Sequence, residues 1–194
     1  MKLSHQHFKI YKPYGVLSQF VSNNQKESRK KRFLGELHNF PEGIMPIGRL
    51  DENSEGLLLL TTDGKLSDNI NRGGYEKEYY AQLDGEITPE AIALLRNGVE
   101  IGIYGKKYIT KPCLANLIQA PVEKLPEANP KLRIGRHRPS SWVSITITEG
   151  KFRQIRKMTA AVGFPTLRLV RVRIGTITLE NLNEGQVQPI SNII

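Results

Sequence analysis

Residues 46–66 read PIGRLDENSEGLLLLTTDGKL, and this stretch decides the fold class. Four consecutive leucines, Leu57 to Leu60, leave no polar face, so they read as a strand buried on both sides rather than an amphipathic surface element. Immediately before them, DENSEG (residues 51–56) is a polar, turn-forming insertion, and Ile44 to Leu50 is a short apolar run leading into it.

Working outward, Phe8 to Tyr11 and Val16 to Val21 read as opening strands around the turn Lys12-Pro13-Tyr14-Gly15. On the other side EKEYYAQLDGEI is a further strand. Thr88 is a helix N-cap for PEAIALLRNG, closed by Gly98, and Val99, Ile101 and Ile103 outline the next strand. In WVSITIT the apolar Val143, Ile145 and Ile147 alternate with Ser144, Thr146 and Thr148, the period of a strand with one apolar face. The segment from Gly150, GKFRQIRKMTAAVG, has Phe152, Ile155, Met158 and Val162 at approximate helical spacing, with Arg153, Arg156 and Lys157 on another face. LRLVRVRIG then places Arg168, Arg171 and Arg173 along a strand, and together these elements predict a basic groove. Two stretches read as mobile loops ordered by a partner: Ser22 to Arg32 and Ala120 to Pro139. The sum is a single α+β domain over 1–194, two lobes at most: a central mixed or antiparallel sheet, flanking helices and a basic cleft.

Composition narrows the partner. Lys and Arg total 28 against 19 Asp and Glu, a formal charge of +9, which favours a polyanion. No apolar run approaches the roughly 20 residues of a membrane span, so no membrane partner is expected and the location is read as cytoplasmic. One cysteine, Cys113, excludes an internal disulfide and reads as a packing residue. The four histidines are dispersed and no Cys/His cluster has zinc spacing, so neither a metal nor a cofactor is expected. No amphipathic dimer segment stands out, which favours a monomer.

The stretch Pro46 to Leu66 closely resembles the catalytic motif of the RsuA-type pseudouridine synthases, in which the Asp after Gly-Arg-Leu is essential. YKPYGVLSQF (residues 11–20) resembles that family's opening motif, KEYYAQLDGEI (residues 77–87) its Lys-x-Tyr strand, and SSWVSITITEGKFRQIRKMTAAVGFPTLRLVRVRIG (residues 140–175) its last motif. Order and spacing fit over nearly the whole chain. Many members carry an S4 RNA-binding module ahead of the opening motif; only ten residues precede Tyr11, so none is expected, as in a branch of the family that modifies large-subunit rRNA. Gln188 stands where relatives often have a basic residue, removing one peripheral RNA contact.

The resemblance implies a reaction and roles. Uridine is isomerised by breaking N1–C1′ and joining C5 to C1′. Asp51 would supply the carboxylate, whether by attacking the sugar, adding to the base or removing the C2′ proton. Without the motifs, Asp51 would read as a turn residue or helix cap. Arg49, two residues earlier and facing the same way in extended backbone, would contact RNA and fill the space of the flipped uridine. Its bland reading is a solvated arginine. Tyr79 would stack on the target base and assist at C5, with Tyr80 as the alternate register and packing as the ordinary role of either. Arg156 would pair with Asp51, and Ile155 would pack beneath Tyr79; otherwise they are a solvated helix residue and a core residue. Lys151, Arg153, Gln154 and Lys157 are candidates for phosphate or base contacts, or simple surface solvation. Trp142 reads as packing, and the run at residues 29–32, RKKR, as a solvated loop. The implied partner is large-subunit rRNA or its assembly intermediate. The competing readings are a noncatalytic RNA-binding assembly factor on the same fold and, more remotely, a carboxylate-dependent nuclease.

Overall fold

The computed structural model describes residues 5–23, 29–121, 123–136 and 138–193. Two compact units emerge: the chain up to Tyr75 together with the chain from Arg171 onward, and the chain from Glu76 to Val170.

In the first unit, β1 (His7–Lys12) is paired antiparallel on both sides. It meets β5 (Glu55–Thr61), from His7 opposite Thr61 to Lys12 opposite Gly56, and β13 (Val187–Ile190), from His7 opposite Ile190 to Ile10 opposite Val187. Strand β4 (Met45–Ile47) lies on the other edge of β5, Ile47 opposite Leu59. Every residue of β5 is buried, as its leucine run requires. Leu58 and Leu60 join Phe8, Ile10, Val16 and Leu34 in one core, against which Phe20, Leu37, Phe40, Ile44 and Val187 pack. Leu57 and Leu59 point the opposite way, by the two-residue alternation of a strand. Strand β2 is only Val16–Leu17, parallel to β3 (Arg32–Phe33). The sequence expectation of a strand to Val21 fails because the chain bends at Ser18, whose side chain is claimed by Leu50. Helix α1 (Gly64–Arg72) packs on β4 and β5. Asp63 starts it, its carboxylate accepting from the backbone N–H of Lys65 and Leu66.

In the second unit, β10 (Ser140–Ile147) lies between β6 (Lys77–Asp84) and β9 (Leu114–Ile118), antiparallel to both. Helix α2 (Pro89–Asn97) begins at Thr88, whose hydroxyl accepts from Ala91, and ends at Gly98 with φ +95. It packs on β9, to which Arg96 donates at the Ala115 carbonyl (2.7 Å). Strands β7 (Glu100–Ile103) and β8 (Lys106–Ile109) form a separate hairpin. Helix α3 (Gln154–Ala161) packs on β7. It begins four residues later than the helical pattern from Gly150 suggested, because Arg153 adopts left-handed backbone (φ +53) and leaves residues 152–153 as a turn. Trp142 is buried, in keeping with a packing role.

β11 (Thr166–Ile174) carries the chain back into the first unit, ending in a hairpin with β12 (Ile177–Thr178). Its arginines overturn part of the sequence reading. Arg168 and Arg171 do not line an open groove: both are buried, Arg168 donating to the Pro126 carbonyl (3.0 Å) and Arg171 to that of Leu57 (2.7 Å). A guanidinium carries five donors, and a backbone carbonyl inside a protein can accept from it.

Of the stretches read as mobile, residues 24–28, 122 and 137 lie outside the described residues. The described part of 120–139 forms turns, with Leu125 buried and Arg138 bonded to Asp84 and to the Gly163 carbonyl. No described helix is long and apolar enough to cross a membrane.

Candidate active site

Asp51 stands on a tight turn that the opening motif clamps. Gly48, with φ +67, turns the chain out of β4. Leu50 is buried between exposed Arg49 and half-buried Asp51. The Leu50 backbone is held at both polar atoms by one hydroxyl: its N–H donates to Ser18 Oγ (3.0 Å) and Ser18 Oγ donates to its carbonyl (2.8 Å). The Gly15 N–H donates to the Glu52 carbonyl (2.8 Å), and the Ser54 N–H to that of Asp51 (3.0 Å). Arg49 Nη2 donates to Gln19 Oε1 (2.6 Å), and Lys31 Nζ meets both Glu52 carboxylate oxygens at 2.8 Å. Gly15, Ser18 and Gln19 all belong to YKPYGVLSQF. The joint presence of this motif and GRLDENSEG therefore has a physical cause: one is the mould for the other. Lys31 adds a correction to the RKKR run, since this member is engaged with the acidic turn rather than merely solvated.

Beneath the turn lies a residue that sequence reading missed. Lys12 is fully buried, and its ammonium nitrogen donates to the carbonyls of Pro13 (2.8 Å) and Val16 (2.7 Å). Burial lowers its pKa to about 7; Glu55, Asp51 and Glu52 favour the charged form, while Arg171 opposes it. The available signal was its place in the Lys-Pro-Tyr-Gly turn, which read only as a loop.

Arg49 and Asp51 belong to the first unit and the other candidates to the second. Tyr79 is buried in β6 opposite Ile145. Tyr80, on the other face of the strand, is half-buried and borders a cavity of about 450 Å³ lined also by Ile118, Gln119, Pro121, Glu123 and Lys124. Along α3, Ile155 is buried and Arg156 half-buried, with Arg156 Nη1 donating to the Thr166 carbonyl (3.2 Å). Gln154 is buried too, and its amide is occupied within the protein. It accepts from the Lys151 N–H (3.0 Å) and donates to Glu149 (2.6 Å). Glu149 also accepts from the Tyr108 hydroxyl and the Lys111 N–H. Burial pushes the Glu149 pKa up, but the bonds from Tyr108, Lys111 and Gln154 and the charge of Lys151 outweigh it and hold the carboxyl below its ordinary value. Lys151 lies over the Tyr108 ring and Lys157 over that of Phe152, each at 5.0 Å. Cys113 donates to the Leu95 carbonyl, and burial raises its pKa to about 11, the state of an inert packing thiol.

A moulded acidic turn on an α+β frame, in a chain of high positive charge, fits the class of RNA-modifying enzymes to which the resemblance pointed. Within it, the chain belongs to the RNA pseudouridylate synthase family, whose model matches residues 6–161. It is 41% identical to the ribosomal large subunit pseudouridine synthase E of Vibrio vulnificus, over 93% of this chain and 73% of that one. To the protein of the same name from Xanthomonas axonopodis pv. citri it is 42% identical, over 89% and 87%. A crystal structure of a pseudouridylate synthase superposes with a TM-score of 0.76 at 27% identity, covering 97% of this chain and 71% of that one.

Proposed function

We propose that this chain isomerises one uridine of large-subunit rRNA to pseudouridine, with Asp51 as the catalytic carboxylate. The observation that carries the reading is the clamped turn, which fixes the Asp51 backbone before any substrate arrives, as preorganised catalysis demands. The names of the relatives support the choice of RNA.

In this reading the target nucleotide is extruded from its helix, and Arg49 contacts the RNA where the uridine leaves. Tyr79 stacks on the flipped base. Arg156 pairs with Asp51 and keeps it ionised, and Ile155 supports the Tyr79 ring. Lys151, Arg153 and Lys157 meet phosphates. Gln154 acts through the Glu149 network, shaping the turn that presents Lys151 and Arg153, because its own amide is already engaged. The N1–C1′ bond breaks, the uracil turns, C5 bonds to C1′ and the C5 proton is lost as N1 gains one, so the atoms balance without a second reactant. The enzyme acts as a monomer in the cytoplasm, on rRNA or on an assembling particle.

The test is a pseudouridine map, by carbodiimide treatment and primer extension, of rRNA from a strain lacking the protein and from strains restored with wild type or Asp51→Asn. Loss at one large-subunit position, regained only with wild type, is the expected result. A map unchanged by deletion, under conditions where the protein is made, overturns the assignment.

A further inference from the structure

The hairpin β7–β8 ends in an unusual choice of residue. Tyr104 (φ +48) and Gly105 (φ +78) both adopt left-handed backbone, the pattern of a two-residue turn that favours Asn-Gly. A bulky aromatic is a costly occupant of the first position. Burial does not repay it, because Tyr104 is 83% exposed. Its ring stacks on that of Phe152, itself 50% exposed, with centroids 5.8 Å apart and planes 21° from parallel. Lys157 covers Phe152 while donating to the Gly102 carbonyl (2.6 Å), tying hairpin and α3 together under the pair. Lys106 and Lys107 follow the turn directly and are exposed, and Lys151 and Arg153 flank Phe152 in sequence.

We propose that the Tyr104–Phe152 pair is a stacking platform for an unpaired nucleobase of the substrate RNA, outside the residues that carry the chemistry. The outer face of Tyr104 is open to solvent, and single-stranded RNA is held by stacking its bases on aromatic rings within cationic surroundings. Lys106, Lys151 and Arg153 supply the complementary charge for the flanking phosphates, Lys107 being paired with Glu100 (2.9 Å). The Tyr108–Glu149–Gln154 network ties this corner together through contacts that do not involve the pair. The inference rests on reading the protein as an enzyme of RNA.

The experiment uses the full chain and a single-stranded RNA 12-mer with a central 2-aminopurine, alongside the same strand in a duplex. Wild type is expected to bind the single strand and quench the fluorophore. The double variant Tyr104→Asn/Phe152→Ser, whose Asn suits the turn, is expected to bind the single strand roughly 5- to 100-fold more weakly. It should also lose quenching while changing duplex affinity less than about two-fold. Tyr104→Phe should retain both. Single-strand binding and quenching by the double variant within about two-fold of wild type, or no quenching by wild type, overturns the platform. Pseudouridine formation is measured separately. A protein that modifies rRNA with no platform effect loses only this inference, and one with the platform effect but no pseudouridine loses only the enzymatic reading.

Discussion

Replacing Lys12 with Met should change not just how stable the protein is but how its stability depends on pH. In the folded chain the amine loses its proton near pH 7, against an ordinary 10.5, because burial opposes the charge. At about 1.4 kcal/mol per pH unit, charging the folded site costs on the order of 4–5 kcal/mol relative to water. Below pH 7 both states hold the proton and the folded state carries that whole cost. Between 7 and 10.5 the unfolded chain binds more protons than the folded one, so this group makes stability rise with pH; above 10.5 its contribution is flat. The neutral amine has two N–H groups, enough for the Pro13 and Val16 carbonyls it serves. Lys12→Met leaves both acceptors without this donor, at about 1–3 kcal/mol each, and removes the buried charge. At pH 9 wild type still carries about 2 kcal/mol of that cost, so the variant should be less stable by up to about 4 kcal/mol, and moving to pH 6 should shift the balance by about 3 kcal/mol in the variant's favour. Urea unfolding of both proteins at pH 6, 7.5 and 9 measures this. Parallel pH profiles for wild type and variant would refute a lysine that discharges on folding.

Two further changes test the second unit. Gly98→Ala places a Cβ 2.3 Å from the Thr110 carbonyl oxygen, in backbone with φ +95. Both the overlap and the conformation oppose it, so a loss on the order of 3 kcal/mol is expected. Thermal unfolding should show it as a drop of roughly 10 °C, and a drop under about 2 °C would mean the helix end relaxes freely. Glu149→Gln substitutes an amide for a carboxylate that accepts from Tyr108, Lys111 and Gln154. Because the folded-state carboxyl is held below its ordinary pKa, its contribution is present above about pH 4.5 and disappears as pH falls through the folded value. The variant should lose about 1 kcal/mol at pH 7, a half-exposed network being screened by solvent, with the gap closing as the pH falls below 4.5 and through the folded value. A gap that stays constant as the pH is lowered through the carboxylate range would show that packing, rather than ionisation, was lost.

Elements whose residues alternate or recur with one clear period were legible in the sequence: β1, the leucine strand β5, β6, β10, and α2 with Thr88 and Gly98 at its ends. Helix α1 was not, although Asp63 is a strong cap. GKLSDNINR offers only Leu66 and Ile70 as large apolar residues, too few to reveal a helical period. Strand β13 pairs with β1 from the far end of the chain, a partnership no local pattern encodes. Arg168 and Arg171 read as a basic stripe because charge normally means exposure; their burial depends on carbonyls supplied by Pro126 and Leu57, which only the folded chain brings within reach. Lys12 was missed for the same reason. At the site, the sequence motifs named Asp51 and its neighbours, but not what holds them.

What holds them determines how an Asp51 variant should be read. The clamp acts on the backbone of Leu50, Asp51 and Glu52 through the Ser18 hydroxyl, the Gly15 N–H and the Ser54 N–H, and on the side chains of Arg49 and Glu52. Each of these contacts survives replacement of the Asp51 carboxylate by an amide of nearly the same shape. Asp51→Asn should thus keep the clamp and lose at most about 1 kcal/mol, the range of a half-exposed charge interaction, while forming no pseudouridine. Ser18→Ala should do the reverse: removing a hydroxyl that serves two buried backbone groups costs about 1–3 kcal/mol, and turnover should fall but not vanish because the carboxylate is still present. Unfolding and single-turnover assays on both variants separate the roles. If Asp51→Asn proved as destabilised as Ser18→Ala, the carboxylate would belong to the clamp, and its loss of activity would no longer speak for catalysis.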